Sequence, residues 1–205
     1  MAKSSSIAFV YPNSPRERKH GPSGYKDVQS FRPWLRDEFD FRCVYCLKRE
    51  SWGTAKEGFD IEHFVSSMVA PDKRLSYSNL VYACHECNLR KGSTSVNDPF
   101  ECCTANNIAL LENGMLVGLS RNARLIIAVV ALNSPNMIRW RLLWMQIVEL
   151  AQTHDFELLN QLLAYPHNLP DLTALTPPRN EKPEGVNDSH YARKRNGDLP
   201  ASYIV

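Results

Sequence analysis

The sequence predicts an α+β fold, a small cysteine-rich core followed by a β-hairpin and a helical subdomain. Three observations carry this. Two Cys-x-x-Cys pairs, Cys43/Cys46 and Cys84/Cys87, bracket a long insert. The step Asn113-Gly114, a strong tight-turn signal, lies between apolar runs at 108–111 and 115–117. Beyond it, Leu and Trp recur at helical spacing.

Length and composition set the frame. A chain of 205 residues makes one or two compact domains, and a hydrophobic fraction of 43% is enough for a sizeable core. No continuous apolar span reaches the roughly 20 residues a transmembrane helix needs, so no membrane partner is expected. The apolar run at 7–11 is too short for a signal peptide, and the expected location is cytoplasmic. In that reducing setting, paired cysteines read as metal ligands or catalytic thiols rather than disulfides. The net charge of +2 argues only weakly for nucleic acid. The first 26 residues say more: Lys3, Arg16, Arg18, Lys19 and Lys26 stand against Glu17 alone. Such a basic arm suits phosphate contact, with Arg16, Arg18 and Lys19 as candidates, although a solvated tail has the same composition.

Taken in order, residues 1–42 form the basic arm and a short helix. Pro12, Pro15, Gly21, Pro22 and Gly24 break regular structure in the arm, which lies over the surface or orders on a partner. Phe31, Trp34 and Leu35 then space as one helical face, with Pro33 in the first turn. Residues 43–100 hold the chemistry. Residues 101–165 carry the hairpin and helices over 123–132, from Ser134-Pro135 to about Ala151, and from about Asp155 to before Pro166. The Leu and Trp stripes of these helices read as core rather than as a partner surface. Residues 166–205 are Pro-rich with few large apolar residues, a tail or an arm folded over the body.

Four thiolates, Cys43, Cys46, Cys84 and Cys87, complete a tetrahedral Zn²⁺ shell with no open position. That makes the zinc structural. Cys102 and Cys103 are adjacent, cannot easily chelate one ion together, and read as packed free thiols.

Between the knuckles stand Asp60-Ile61-Glu62-His63 and Asn79, and after them Cys87-Asn88-Leu89-Arg90-Lys91. An acidic residue before His, a later Asn, then Cys-x-x-Cys followed by Asn and a nearby Lys resembles an HNH nuclease over residues 43–92. The resemblance implies a ββα-metal core, two strands and a helix around one catalytic divalent cation. It implies His63 as general base, Glu62 and Asn88 as ligands of the cation, and Asn79 as the residue that holds the loop and orients the histidine. The third position is Asn where many members have His, and Glu stands where Asp is common. These departures leave the catalytic metal open between Mg²⁺ and another divalent cation. Side chains alternate along a strand, so Glu62 and His63 cannot both enter one site from a regular strand. Either the strand ends or bulges there, or Asp60 is the inward carboxylate, and Asp60 stands as the reserve ligand.

These residue types suit phosphodiester hydrolysis. Histidine can take a proton from water. Hard oxygen donors suit a cation that neutralises charge on the phosphate and on the leaving oxygen. Arg90 and Lys91 are candidates for holding a neighbouring phosphate. The implied function is a metal-dependent DNA endonuclease, compatible with bacterial defence or restriction. A single such site cuts one strand at a time, so double-strand breaks need a homodimer or two events. A partner protein could select the target. The competing reading is a catalytically inactive zinc module that binds nucleic acid or protein. A thiol oxidoreductase lacks its expected βαβ setting.

Overall fold

The structure, a computed structural model, describes residues 6–53 and 58–203, and Lys3 of the basic arm lies outside them. Among the described residues the fold is α+β, with three antiparallel two-stranded sheets set among helices.

The chain enters as one 3-10 turn at Ile7–Phe9 that buries Ala8 and Phe9. The Phe9 ring meets Trp52 and Trp140 edge-on at 5.4 and 5.3 Å. The arm then runs along the body to β1 (Pro22–Ser23). Next comes α1 (Arg32–Glu38), which has Pro33 in its first turn and buries Trp34 and Leu35 completely. β2 (Phe59–His63) and β3 (Leu80–Cys84) pair next, and α2 (His85–Lys91) follows β3 without a loop. A short α3 (Pro99–Cys102) leads to the hairpin of β4 (Ile108–Leu110) and β5 (Leu116–Gly118).

Gly114 turns this hairpin at φ +75°, a left-handed conformation that glycine adopts without strain. Its carbonyl accepts a hydrogen bond from the buried Arg141 guanidinium, which also donates to the Leu132 carbonyl at 2.8 Å. Arg141 thereby ties the hairpin to the end of α4 (Arg121–Val129) and to α5 (Pro135–His154), on which it sits. α5 buries Met137, Arg141, Met145, Val148 and Ala151, one stripe at steps of three and four. Trp144 stacks on Trp52 at 4.2 Å, so this part of the tryptophan stripe is packing. α4 is amphipathic, with Leu125 exposed and Ile126 fully buried. Ser134 does stand at the N-cap of α5, yet its buried hydroxyl makes no capping bond. α6 (Phe156–Leu162) starts at Asp155, whose carboxylate accepts from the Leu158 N–H.

The C-terminal segment folds back over the arm. β6 (Arg179–Asn180) pairs with β1, and the Lys182 ammonium donates to the Arg18 carbonyl at 2.6 Å. A Cβ at Gly185 would lie 2.0 Å from the Lys19 carbonyl oxygen, so this crossing requires glycine. A helix not foreseen in the sequence, α7 (His190–Asn196), follows. Ser189 caps it, and Gly197 ends it at φ +80°.

The buried face of α1 holds arm and tail together through charge. Asp37, fully buried, accepts from His20 Nε2 at 2.8 Å, from His190 Nδ1 at 2.9 Å and from the His190 N–H at 2.8 Å. Glu38 accepts from the N–H groups of Lys19 and His20 and from the Tyr77 hydroxyl. Arg36 grips Glu50 with two bonds of 2.8 and 2.7 Å. Burial alone would push the Asp37 carboxyl up, but His190 and His20 outweigh it and hold it well below the usual carboxylate range. A depressed carboxyl adds stability above its unfolded value and loses it as pH falls towards the folded one. The melting temperature is therefore expected to drop as pH falls below about 4. Asp37→Asn should cost roughly 3 kcal/mol at neutral pH and flatten that acid limb, as breaking a buried pair does. Thermal melts across pH check this, and an unchanged acid limb in the variant would remove Asp37 as its cause.

Candidate active site and metal centre

The two strands and α2 place every residue of the motif. β2 and β3 pair in the register Phe59↔Cys84 through His63↔Leu80. All five residues of β3 are buried. The first knuckle is a tight turn closed by the Leu47 N–H on the Cys43 carbonyl and the Cys43 N–H on the Lys48 carbonyl. Leu47 takes a left-handed φ of 61° to close it. The Val44 N–H donates to the Tyr82 carbonyl at 3.0 Å, which docks this turn on β3. The second knuckle is built by secondary structure alone, with Cys84 as the N-cap residue of α2 and Cys87 in its first turn.

The four sulfurs of Cys43, Cys46, Cys84 and Cys87 lie within 4.8 Å of one another, all buried, and Cys46 and Cys84 are 3.6 Å apart. Zinc–sulfur bonds of about 2.3 Å in a tetrahedron set sulfurs roughly 3.8 Å apart, so the cluster fits the ion. Its electrostatics agree. Contacts from Cys43, Cys46 and Cys87 pull the Cys84 thiol far below its ordinary range. Cys46 and Cys87 are pushed up, Cys43 being the first cause for each. One thiolate can be held by three thiols, but four thiolates this close need a cation. Cys102 and Cys103 are buried, free and outside the cluster.

β2 stays regular through His63, so its side chains alternate. Asp60 and Glu62 both contact α2. The Asp60 Oδ2 accepts from Asn88 Nδ2 at 2.9 Å and lies 2.9 Å from His85 Nδ1, with 28% of its side chain exposed. Glu62 is 2% exposed; its Oε1 lies 2.5 Å from the Lys91 ammonium, and its Oε2 accepts from the Tyr45 hydroxyl at 2.7 Å. Burial first, then the charge of Glu62, pushes the Tyr45 phenol well up, so it remains a neutral donor.

His63 is the neighbour whose side chain leaves that face. Its Nε2 lies 2.9 Å from the Arg74 carbonyl, and its own carbonyl accepts from Lys91. A carbonyl oxygen only accepts, so Nε2 is the donor, and in the neutral ring the lone pair falls on Nδ1. Asn79 clamps the loop between β2 and β3. Its Oδ1 accepts from the Val65 N–H at 3.0 Å, and its Nδ2 donates to the Val65 carbonyl at 3.0 Å and the Lys73 carbonyl at 3.4 Å. The same loop carries Arg74, so the Asn79 clamp and the His63 anchor belong to one segment.

Here the pattern can be compared with known proteins. Residues 43–94 match the family model of HNH endonuclease. The match spans about a quarter of the chain. Members of the family are generally nucleases. No curated protein matches the chain.

The matched segment thus brings Asp60, Glu62, Asn88 and Lys91 to one side of β2. The basic candidates sit differently from one another. Lys91 is buried between Glu62 and the His63 carbonyl. Arg90 pairs with Glu86 one turn earlier on α2. Arg18 donates to the Leu80 carbonyl at 2.8 Å and lies over the rings of Phe39, Tyr77 and Phe100. Arg16 pairs with Asp40 at 2.9 Å. Sequence reasoning missed Tyr45 and His85, whose only signal was a polar side chain inside each knuckle.

Metal analysis of the purified protein should give about one zinc per chain, as one four-thiolate shell holds one ion. Cys84→Ser should lose that zinc and lower the melting temperature; full zinc content in the variant would remove Cys84 from the shell.

Proposed function

We propose that the chain is a metal-dependent endonuclease that hydrolyses DNA phosphodiester bonds with His63 as general base. The observation that carries the reading is the anchor of the His63 ring on the loop between β2 and β3. Nε2 is held by the Arg74 carbonyl. The ring is thereby oriented and its tautomer chosen, and Nδ1 is left to take a proton from an attacking water. Asn79 supports this by holding the loop that supplies the anchor. β2, β3 and α2 then serve as the ββα core.

The hard donors for a divalent cation, Mg²⁺ or another, come from Asn88 and the carboxylates of β2. When bound, the cation would neutralise charge on the scissile phosphate and the leaving oxygen. Geometry favours Asp60 as the carboxylate partner of Asn88, because solvent reaches it and the two already touch. Glu62 is compensated inside the core by Lys91 and Tyr45, which suits a part that fixes α2 against β2.

That buried Glu62–Lys91 pair also favours a second reading, a zinc module that binds nucleic acid without cutting it. Nicking of supercoiled plasmid with Mg²⁺ or Mn²⁺, against excess EDTA, separates the two. Under the first reading the wild type nicks, and His63→Ala loses on the order of 100-fold or more in rate with zinc content retained, as removal of a general base does. Wild-type nicking by that variant would sink the mechanism, and salt-sensitive DNA binding without nicking by the wild type would support the module. Asp60→Asn should raise the cation concentration needed for nicking. Glu62→Gln should instead lower the melting temperature, by roughly 3 kcal/mol of stability for a broken buried pair. The opposite split would return the ligand role to Glu62.

A further inference from the structure

A second cleft, of about 520 Å³, lies where the N-terminal arm, the first knuckle and the C-terminal segment meet. It shares no residue with His63, Asp60 or Asn88. Five cations line it, Arg16, Lys19, Arg42, Arg49 and Arg193, and Asp40 is the one carboxylate among its lining residues. Asp40 is already committed, to Arg16 at 2.9 Å and to Arg42 at 3.1 Å, with His190 Nε2 at 3.5 Å. The lining therefore keeps a surplus of four positive charges.

Among the described residues Arg49 has aromatic rings but no ion-pair partner within contact. It is 3% exposed, and its Nε and Nη1 are buried without a hydrogen-bond partner among the described residues. Its guanidinium lies 4.4 Å over the Tyr203 ring, and Arg42 lies 5.5 Å over the same ring, with its own Nε also unpartnered. Burial, with Arg42 second, brings the Arg49 pKa down to about 9. Two guanidiniums on one aromatic ring, one of them buried and unpaired, are costly unless an anion joins them. Water can satisfy N–H groups but not the charge.

We infer that this cleft binds a phosphate monoester of nucleotide size, its anion held by Arg49 and Arg42 with Lys19, Arg16 and Arg193 around it. The charge selects phosphate: a monoester brings nearly two negative charges and three acceptor oxygens, where a carboxylate brings one charge and two oxygens. The volume exceeds that of a bare phosphate and leaves room for the esterified group. The same chemistry comes from a free phosphorylated small molecule or from the 5′-phosphate of a DNA strand. This inference stands apart from the proposed cleavage chemistry, because it uses none of His63, Asp60, Glu62, Asn79 and Asn88.

Isothermal titration of the zinc-loaded full chain tests it, with AMP, adenosine and inorganic phosphate as probes. AMP should bind and adenosine should not. Arg49→Met and Lys19→Gln should each weaken AMP by about tenfold or more, as loss of one charge-assisted contact does. Lys19→Gln guards against a folding failure of the buried Arg49 variant. Asp60→Asn should leave AMP affinity unchanged, which separates this cleft from the nuclease site. Trinucleotides with and without a 5′-phosphate identify the source. Displacement of AMP by the phosphorylated one alone assigns the cleft to strand ends, and no displacement by either assigns it to a free small molecule. The inference is overturned if neither AMP nor phosphate binds at millimolar concentration, or if AMP binds equally well to both cleft variants.

Discussion

Four sulfurs within 4.8 Å of one another are the constraint from which the segment holding β2, β3 and α2 is built. Cys84 does three things at once: it ends β3, caps α2 and belongs to the sulfur cluster. The register of β2 is counted from it, since Phe59 lies opposite Cys84. Asn88 follows Cys87 directly, and Lys91 lies one turn further. A shift of Cys84 would thus move Asp60, Glu62, Asn88 and Lys91 together. A seven-residue helix and a two-stranded sheet are each too small to be stable alone. The four-cysteine cluster fits a zinc ion, which would crosslink them to the first knuckle and supply what the small core lacks.

The second tie is electrostatic. Arg36, Asp37 and Glu38 are consecutive and buried, an arrangement that would be ruinous without partners. Arg36 finds Glu50 beside the knuckle, Asp37 finds His20 on the arm and His190 on the tail, and Glu38 finds the N–H groups of Lys19 and His20 and the Tyr77 hydroxyl. Buried pairs of this kind add little net stability over apolar packing, because desolvation offsets the attraction. Their effect is to punish misplacement. Asp37 joins segments 153 positions apart in sequence, and a tail docked elsewhere would leave a bare carboxylate in the core. The same docking of arm and tail creates the cationic cleft, so its charge surplus comes from the way the chain closes on itself.

The parts of this structure legible in the sequence are those coded by local pattern. Asn113-Gly114 between apolar runs does make a hairpin, and Pro33 and Ser134-Pro135 do stand at helix starts. The two knuckles read directly because cysteine spacing is itself geometry. The arm was harder. Its prolines and glycines look like a tail, yet Phe9, Tyr11 and His20 are buried, because their partners lie far away in sequence. α7 had its signals, Ser189 and Gly197, but its exposed basic turn gave no apolar stripe to reveal it. Composition also hid the use of the basic residues. Arg18 spends its charge on carbonyls and aromatic faces, and Lys91 on Glu62. Which cation faces solvent is a property of packing, and no local spacing encodes it.

The carboxylates of β2 show what alternation does to a motif read as letters. Glu62 and His63 are neighbours in sequence, but a regular strand sends their side chains to opposite faces. Asp60, two positions from Glu62, shares its face. On that face Glu62 is satisfied by an ammonium and a phenol that burial keeps in place. Drawing it onto a second cation would leave Lys91 in the core without its counter-ion. Among the described residues Asp60 is met by an amide and an imidazole at the solvent edge. Those donors can turn away without leaving a buried charge behind. Under the proposed nuclease reading, a carboxylate that must accept a hydrated cation and release it again belongs where its partners are exposed and near water, which favours Asp60 over Glu62.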